Sequence, residues 1–192
     1  MAALPPHSPT VSSKKEGMNL KELSETELML LNKVGQIHGL MEEKPDKVGK
    51  QGIFDKYIEI HKTYADFANT DNEALKRALF IQWYAISEPS GLTGIPGGQG
   101  PFDGEKELDR EAEIKVIRLI EEKVKQKQLD EELKWMLSYY GIWDYYFEQF
   151  KDIENIIKFI TTEEHPKPEK VDLSQFENRG QLGIYWKSIF EK

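Results

Sequence analysis

Between Asp130 and Ile160, the residues Leu133, Met136, Tyr140, Trp143, Phe147 and Phe150 recur at steps of three and four. That is the period of an α-helix, in which residues three or four apart share a face. Tyr139, Tyr146, Ile153 and Ile160 form a second stripe on another face. A helix that is apolar on two faces has to be covered from several sides. The region is therefore expected at the centre of a helical bundle, with a break at Gly141. No stretch alternates apolar and polar residues as a strand would, and no internal repeat is present.

The rest of the chain reads the same way. A first helix is expected to start at Ser24, where "SETE" offers a capping box: a Ser24 hydroxyl for the backbone and Glu27 reaching back. Leu30, Val34, Ile37 and Met41 continue it, and Pro45 with Gly49 to Gly52 is expected to end it in a short connection. A second helix spans roughly 53–68, with Phe54, Tyr57, Ile58, His61, Ala65 and Ala68 on one face. Thr70 and Glu73 suggest another capping box. The third helix, "EALKRALFIQWYAI", is apolar around much of its girth and stops near Ser87, because Pro89 disfavours helical geometry at Glu88. A fourth runs from about Glu105 to Lys127, with acids early and lysines late, as the helix dipole favours.

The ends of the chain differ from its middle. Residues 1–17 are rich in proline, serine and lysine and read as a disordered leader. They lack the apolar stretch of a secretory signal. Residues 161–172 read as a linker. The segment after it carries Phe176, Ile184, Tyr185, Trp186, Ile189 and Phe190, too much apolar surface for a free tail, so residues 18–192 are expected to form one helical domain.

Composition narrows the function classes. Of 192 residues, 26 are Lys or Arg and 34 are Asp or Glu, a net charge of −8. A dedicated nucleic-acid binder usually carries a basic footprint, so nucleic acid is not expected as a partner. No apolar run approaches the roughly 20 residues that span a bilayer, so no membrane association is expected. The chain has no cysteine, which removes disulfides and thiolate chemistry and fits a cytoplasmic location.

No motif settles a chemistry. A di-iron bundle needs glutamate three residues before histidine, and none of His7, His38, His61 or His165 has one. Glu59 and His61, two apart on a helix, do not face each other. Neither a metal nor a cofactor is expected. A nucleophile elbow is absent as well, and the carboxylate-rich runs "EKELDREAEIK" and "DEELK" read as solvated faces of mixed charge.

The strongest anomaly is residues 89–104, which hold six of the 14 glycines and three of the nine prolines. Loops longer than about 12–15 residues without structure of their own are uncommon and are often functional. Ser90 and Thr93 lie in this segment beside Glu88. Gln82, polar on an apolar face, must find hydrogen bonds. The candidate binding residues are therefore Gln82, Glu88, Ser90 and Thr93, with Arg179 and Trp186 supplied by the C-terminal segment.

The sequence thus describes an all-α, single-domain bundle of five to six helices with a long Gly/Pro-rich loop. The leading functional expectation is a non-enzymatic interaction module for a more basic protein partner, since opposite charge speeds encounter. The alternative is an enzyme or small-molecule-binding protein with a pocket between helices, gated by residues 89–104. In that case Gln82, Glu88, His61 or Arg179 should converge on one cavity. A third possibility is a homo-oligomer that hides Trp186 and Phe190 between subunits.

Overall fold

The computed structural model of the chain describes residues 19–39, 43–87, 108–142, 144–162, 166, 168 and 170–191. Among them are nine α-helices, one 3-10 turn and no strand. The helices are α1 (Leu20–Gln36), α2 (Lys44–Lys50), α3 (Ile53–Phe67), α4 (Asn72–Ser87) and α5 (Arg110–Lys125), then α6 (Glu131–Gly141), α7 (Asp144–Glu148) and α8 (Glu154–Thr162). The 3-10 turn, Leu173–Phe176, precedes α9 (Gly180–Phe190). The leader, the 89–104 loop, His165 and Trp143 lie outside the described residues.

The all-α class stands, but nine helices replace the expected five to six. The region expected as one helix with a break is three. Gly141 ends α6, and the chain folds back so that α8 packs on α6. The missing side chain at Gly141 permits that approach, since a Cβ there would lie 3.1 Å from the Ile160 side chain. Asp152, with φ of +58°, makes the second reversal before α8. The expected connection after the first helix also contains a helix, α2, which begins with Pro45 in its first turn. Proline suits that position because the amide it lacks would have no partner there.

Helix starts differ from the sequence reading for a definite reason. The cap of α1 lies five residues before the expected one, at Asn19 and not at Ser24. Asn19 accepts from the Lys21 and Glu22 amides, and Glu22 reaches back to the Asn19 amide at 2.9 Å. The box is "NLKE", not "SETE". At the start of α4 the cap is Asp71, which accepts from Glu73 and Ala74, rather than Thr70. Asp109 caps α5, so that helix starts at Arg110 and not near Glu105.

Helix α4 lies at the heart of the core. Its Leu75, Ala78, Leu79, Phe80 and Trp83 are completely buried. Helix α3 packs along it, α5 contacts both, and α9 lies against α1 and reaches α4. Aromatic rings join these elements: Trp83 stacks on Tyr140 of α6 with centroids 4.4 Å apart, and Trp135 meets Trp186 of α9 edge-on at 4.3 Å. Such pairs contribute roughly 0.5–1.5 kcal/mol each beyond the area they bury.

Candidate functional site

Leu23, Glu27, Leu30 and Val34 share the inward face of α1. The carboxylate on that stripe is therefore carried into the core, where Glu27 is 1% exposed. Its Oε1 accepts from the Tyr64 hydroxyl of α3, and its Oε2 accepts from the Gln181 amide at 2.8 Å. Burial pushes the Glu27 pKa up to about 7, against the pull of the Tyr64 and Gln181 hydrogen bonds and of the Arg77 charge. An unpaired ionised carboxylate in an apolar medium is very costly, and these partners make this one tolerable. Gly180, with φ of +58°, gives the carboxylate room, because a Cβ there would run into it. Glu27 thus sits at the first turn of α9, where exposed amides and the helix dipole favour negative charge.

A chain of ion pairs extends from this point. Arg179 grips Glu73 with two parallel hydrogen bonds, Nε to Oε1 at 2.8 Å and Nη2 to Oε2 at 2.6 Å. Its Nη1 donates to Glu132 of α6 at 2.7 Å. The other Glu132 oxygen accepts from Lys76, which also pairs with Asp130 at 2.9 Å. Glu73 accepts from Arg77 Nε at 2.7 Å, and Arg77 Nη1 bonds Ser24 and the Leu20 carbonyl of α1. Ser24, read from sequence as a cap, instead bonds backward to the Leu20 carbonyl and across to the Asn178 carbonyl. The network joins α1, α3, α4, α6 and the C-terminal segment.

A second buried polar group lies between α3, α4 and α7. His61 Nε2 and Gln82 Oε1 are 3.3 Å apart, and both side chains are completely buried. Burial pulls the His61 pKa down to about 4, so the ring is neutral at physiological pH. Burial holds the Tyr146 phenol well above its ordinary value, and the Glu113 charge adds to that. His61 Nδ1, Gln82 Nε2 and the Tyr146 hydroxyl have no hydrogen-bond partner among the described residues.

The structure therefore places the candidate residues in different groups. Gln82 meets His61, while Arg179 joins Glu73 and Glu132, and no hydrogen bond or ion pair links the two sets among the described residues. Trp186 is fully buried, packed on Trp135, Tyr139 and Tyr140. Glu88, Ser90 and Thr93 lie outside the described residues. The sequence reading missed Glu27, Tyr64, Glu73 and Arg77 as a unit. Its one available signal was the carboxylate at the centre of the Leu23–Leu30–Val34 stripe.

Glu27 titrates near neutral pH, whereas burial and the Glu27 charge hold the Tyr64 phenol far above its ordinary value, and every partner that reaches Glu27 among the described residues belongs to the fold itself. No group of three or more metal-ligating side chains occurs among the described residues, and no described helix is long and apolar enough to cross a membrane. Compared with models of protein families, with curated proteins and with solved structures, the chain matches none.

Proposed function

We propose that this chain is a non-enzymatic interaction module that engages a more basic protein partner through its surface. The observation that carries the reading is the use of the buried charges. Glu27, Glu73, Arg77, Glu132 and Arg179 each bond a residue outside their own helix, and in doing so they hold the helices together. What remains to act on other molecules is a surface of mixed charge on a chain with net charge −8. Such an excess raises the encounter rate with a basic partner and makes binding sensitive to salt.

Native mass spectrometry of the protein isolated gently at low salt from its own host tests this. A basic polypeptide in fixed ratio is the expected result, with release as ionic strength rises and screening shortens to a few ångströms. A bare chain contradicts it.

A second reading, a pocket between helices closed by residues 89–104, is favoured by one observation. His61, Gln82 and Tyr146 bury three polar atoms that have no hydrogen-bond partner among the described residues, and buried polar atoms normally find partners in protein or water. The His61 ring also feels the charge of Asp109, the residue that caps α5 after that loop. A stoichiometric small-molecule adduct in the same spectrum would support this reading over the first.

A further inference from the structure

The described surface of this acidic protein contains one cleft faced by four lysines. Lys125 comes from the end of α5, Lys127 from the turn after it, Lys134 from α6 and Lys158 from α8, around a cavity of about 380 Å³. Its apolar lining is Val124, Leu129 and Phe159, the last two buried. Glu121 builds the arrangement. Its carboxylate accepts from the Asn155 and Ile156 amides at 3.0 and 2.9 Å and so fastens the start of α8 to α5. Lys158 and Phe159, three and four residues after Asn155, are thereby turned to the same cleft.

Neighbouring carboxylates leave much of this charge unanswered. Lys134 pairs with Glu131 at 2.6 Å, and Lys125 lies 4.0 Å from the exposed Glu122. Lys127 and Lys158 have no carboxylate within salt-bridge distance among the described residues. Lysines at the end of α5 suit its dipole, and Lys134 answers Glu131 one turn before it, but neither reason applies to Lys158, in the middle of its own helix. Lys127 also has φ of +57°, at a helix end where glycine is the ordinary occupant.

We propose that this cleft binds a small phosphate monoester whose apolar body rests on Val124, Leu129 and Phe159. Two ammonium groups with no carboxylate partner among the described residues, those of Lys127 and Lys158, beside the paired Lys125 and Lys134, suit a dianion with three acceptor oxygens. Lysine is an ordinary phosphate binder, acting as a point charge, and the lysines are the only cationic residues in the cleft lining. The volume falls within the roughly 300–1,000 Å³ of small-molecule sites.

Calorimetric titration of the full chain with phenyl phosphate, inorganic phosphate and benzoate tests the assignment. Phenyl phosphate is expected to saturate one site, and each of the other two to bind at least about tenfold more weakly, one lacking the apolar body and the other the dianion. The double variant Lys127→Ala/Lys158→Ala should lose phenyl phosphate affinity by at least about tenfold while melting as the wild type does, since neither side chain holds an ion pair among the described residues. The proposal is overturned if phenyl phosphate does not saturate by about 10 mM, a very weak affinity, if benzoate binds equally well, or if the double variant binds unchanged. Vesicles containing phosphatidic acid separate the sources. Lysine-dependent cosedimentation together with phenyl phosphate binding assigns the monoester to a lipid headgroup, and phenyl phosphate binding alone assigns it to a soluble molecule. Cosedimentation without phenyl phosphate binding overturns the proposal.

Discussion

The Gln181 amide donates to the Glu27 carboxylate at 2.8 Å, joining the first helix to the last across 154 residues of sequence. With the Arg179–Glu73 pair it makes the C-terminal segment a structural member of the core.

Glu27 and His61 give opposite pH dependence. The Glu27 pKa is raised from 4.5 to about 7, so the folded state holds a proton that the unfolded chain has released, and stability falls as pH rises through that window. The His61 pKa is lowered from 6.5 to about 4, so the unfolded chain takes up a proton first as pH falls, and stability rises with pH between those values. Each effect amounts to about 3 kcal/mol at one pKa unit per 1.4 kcal/mol. In the wild type the two largely cancel between pH 4.5 and 6.5. Urea unfolding of Glu27→Gln should therefore show stability rising across that range, and His61→Gln should show it falling. Parallel curves for the two variants would refute the assignment.

Arg179→Ala should cost about 2–4 kcal/mol, because it leaves Glu73 and Glu132 facing each other without their shared cation. Arg179→Lys should recover less than half of that, since an ammonium cannot reproduce the two parallel bonds to Glu73 while also reaching Glu132. Denaturant midpoints at neutral pH read both values. Equal stability of the lysine variant and the wild type would mean that charge alone matters.

Two glycines inside helices should respond in opposite directions. A Cβ at Gly183 would overlap the Phe176 carbonyl, whereas Gly35 has open space around it. Gly183→Ala is expected to destabilise by about 1–3 kcal/mol or more through overpacking against rigid backbone. Gly35→Ala should stabilise by about 0.5–1 kcal/mol through helix propensity. Thermal unfolding of the two variants checks the pair.

Asn19→Ala should cost about 1 kcal/mol, the usual loss for an N-cap. The matched substitution Ser24→Ala tests a different bond. It removes a partner of Arg77 and the tie to the Asn178 carbonyl, so its effect should couple with Arg179→Ala, whereas that of Asn19→Ala should add independently.

What could be read beforehand follows from what periodicity encodes. The span of α3 was legible because apolar spacing is a local signal. The first cap was misplaced because "NLKE" and "SETE" carry the same signature five residues apart, and tertiary contacts drew Ser24 and Glu27 inward. The aromatic stripe from Leu133 to Phe150 keeps its period across Gly141, so spacing alone could not separate α6 from α7. The polar network was least legible. Glu27 meets Gln181, and Glu73 meets Arg179, over separations of more than 100 residues that no local pattern reports.

The central claim is that Glu27 and Arg179 fasten the C-terminal segment into the global fold. Hydrogen exchange of the Gln181 amide and of the Trp186 amide further along α9 tests it directly. Their protection is expected to lie within about tenfold of that for Leu79 and Phe80 in the buried α4, the behaviour of groups that open only with the whole molecule. Exchange faster by several orders of magnitude, with α4 still protected, would show the segment detaching by itself and would contradict the account.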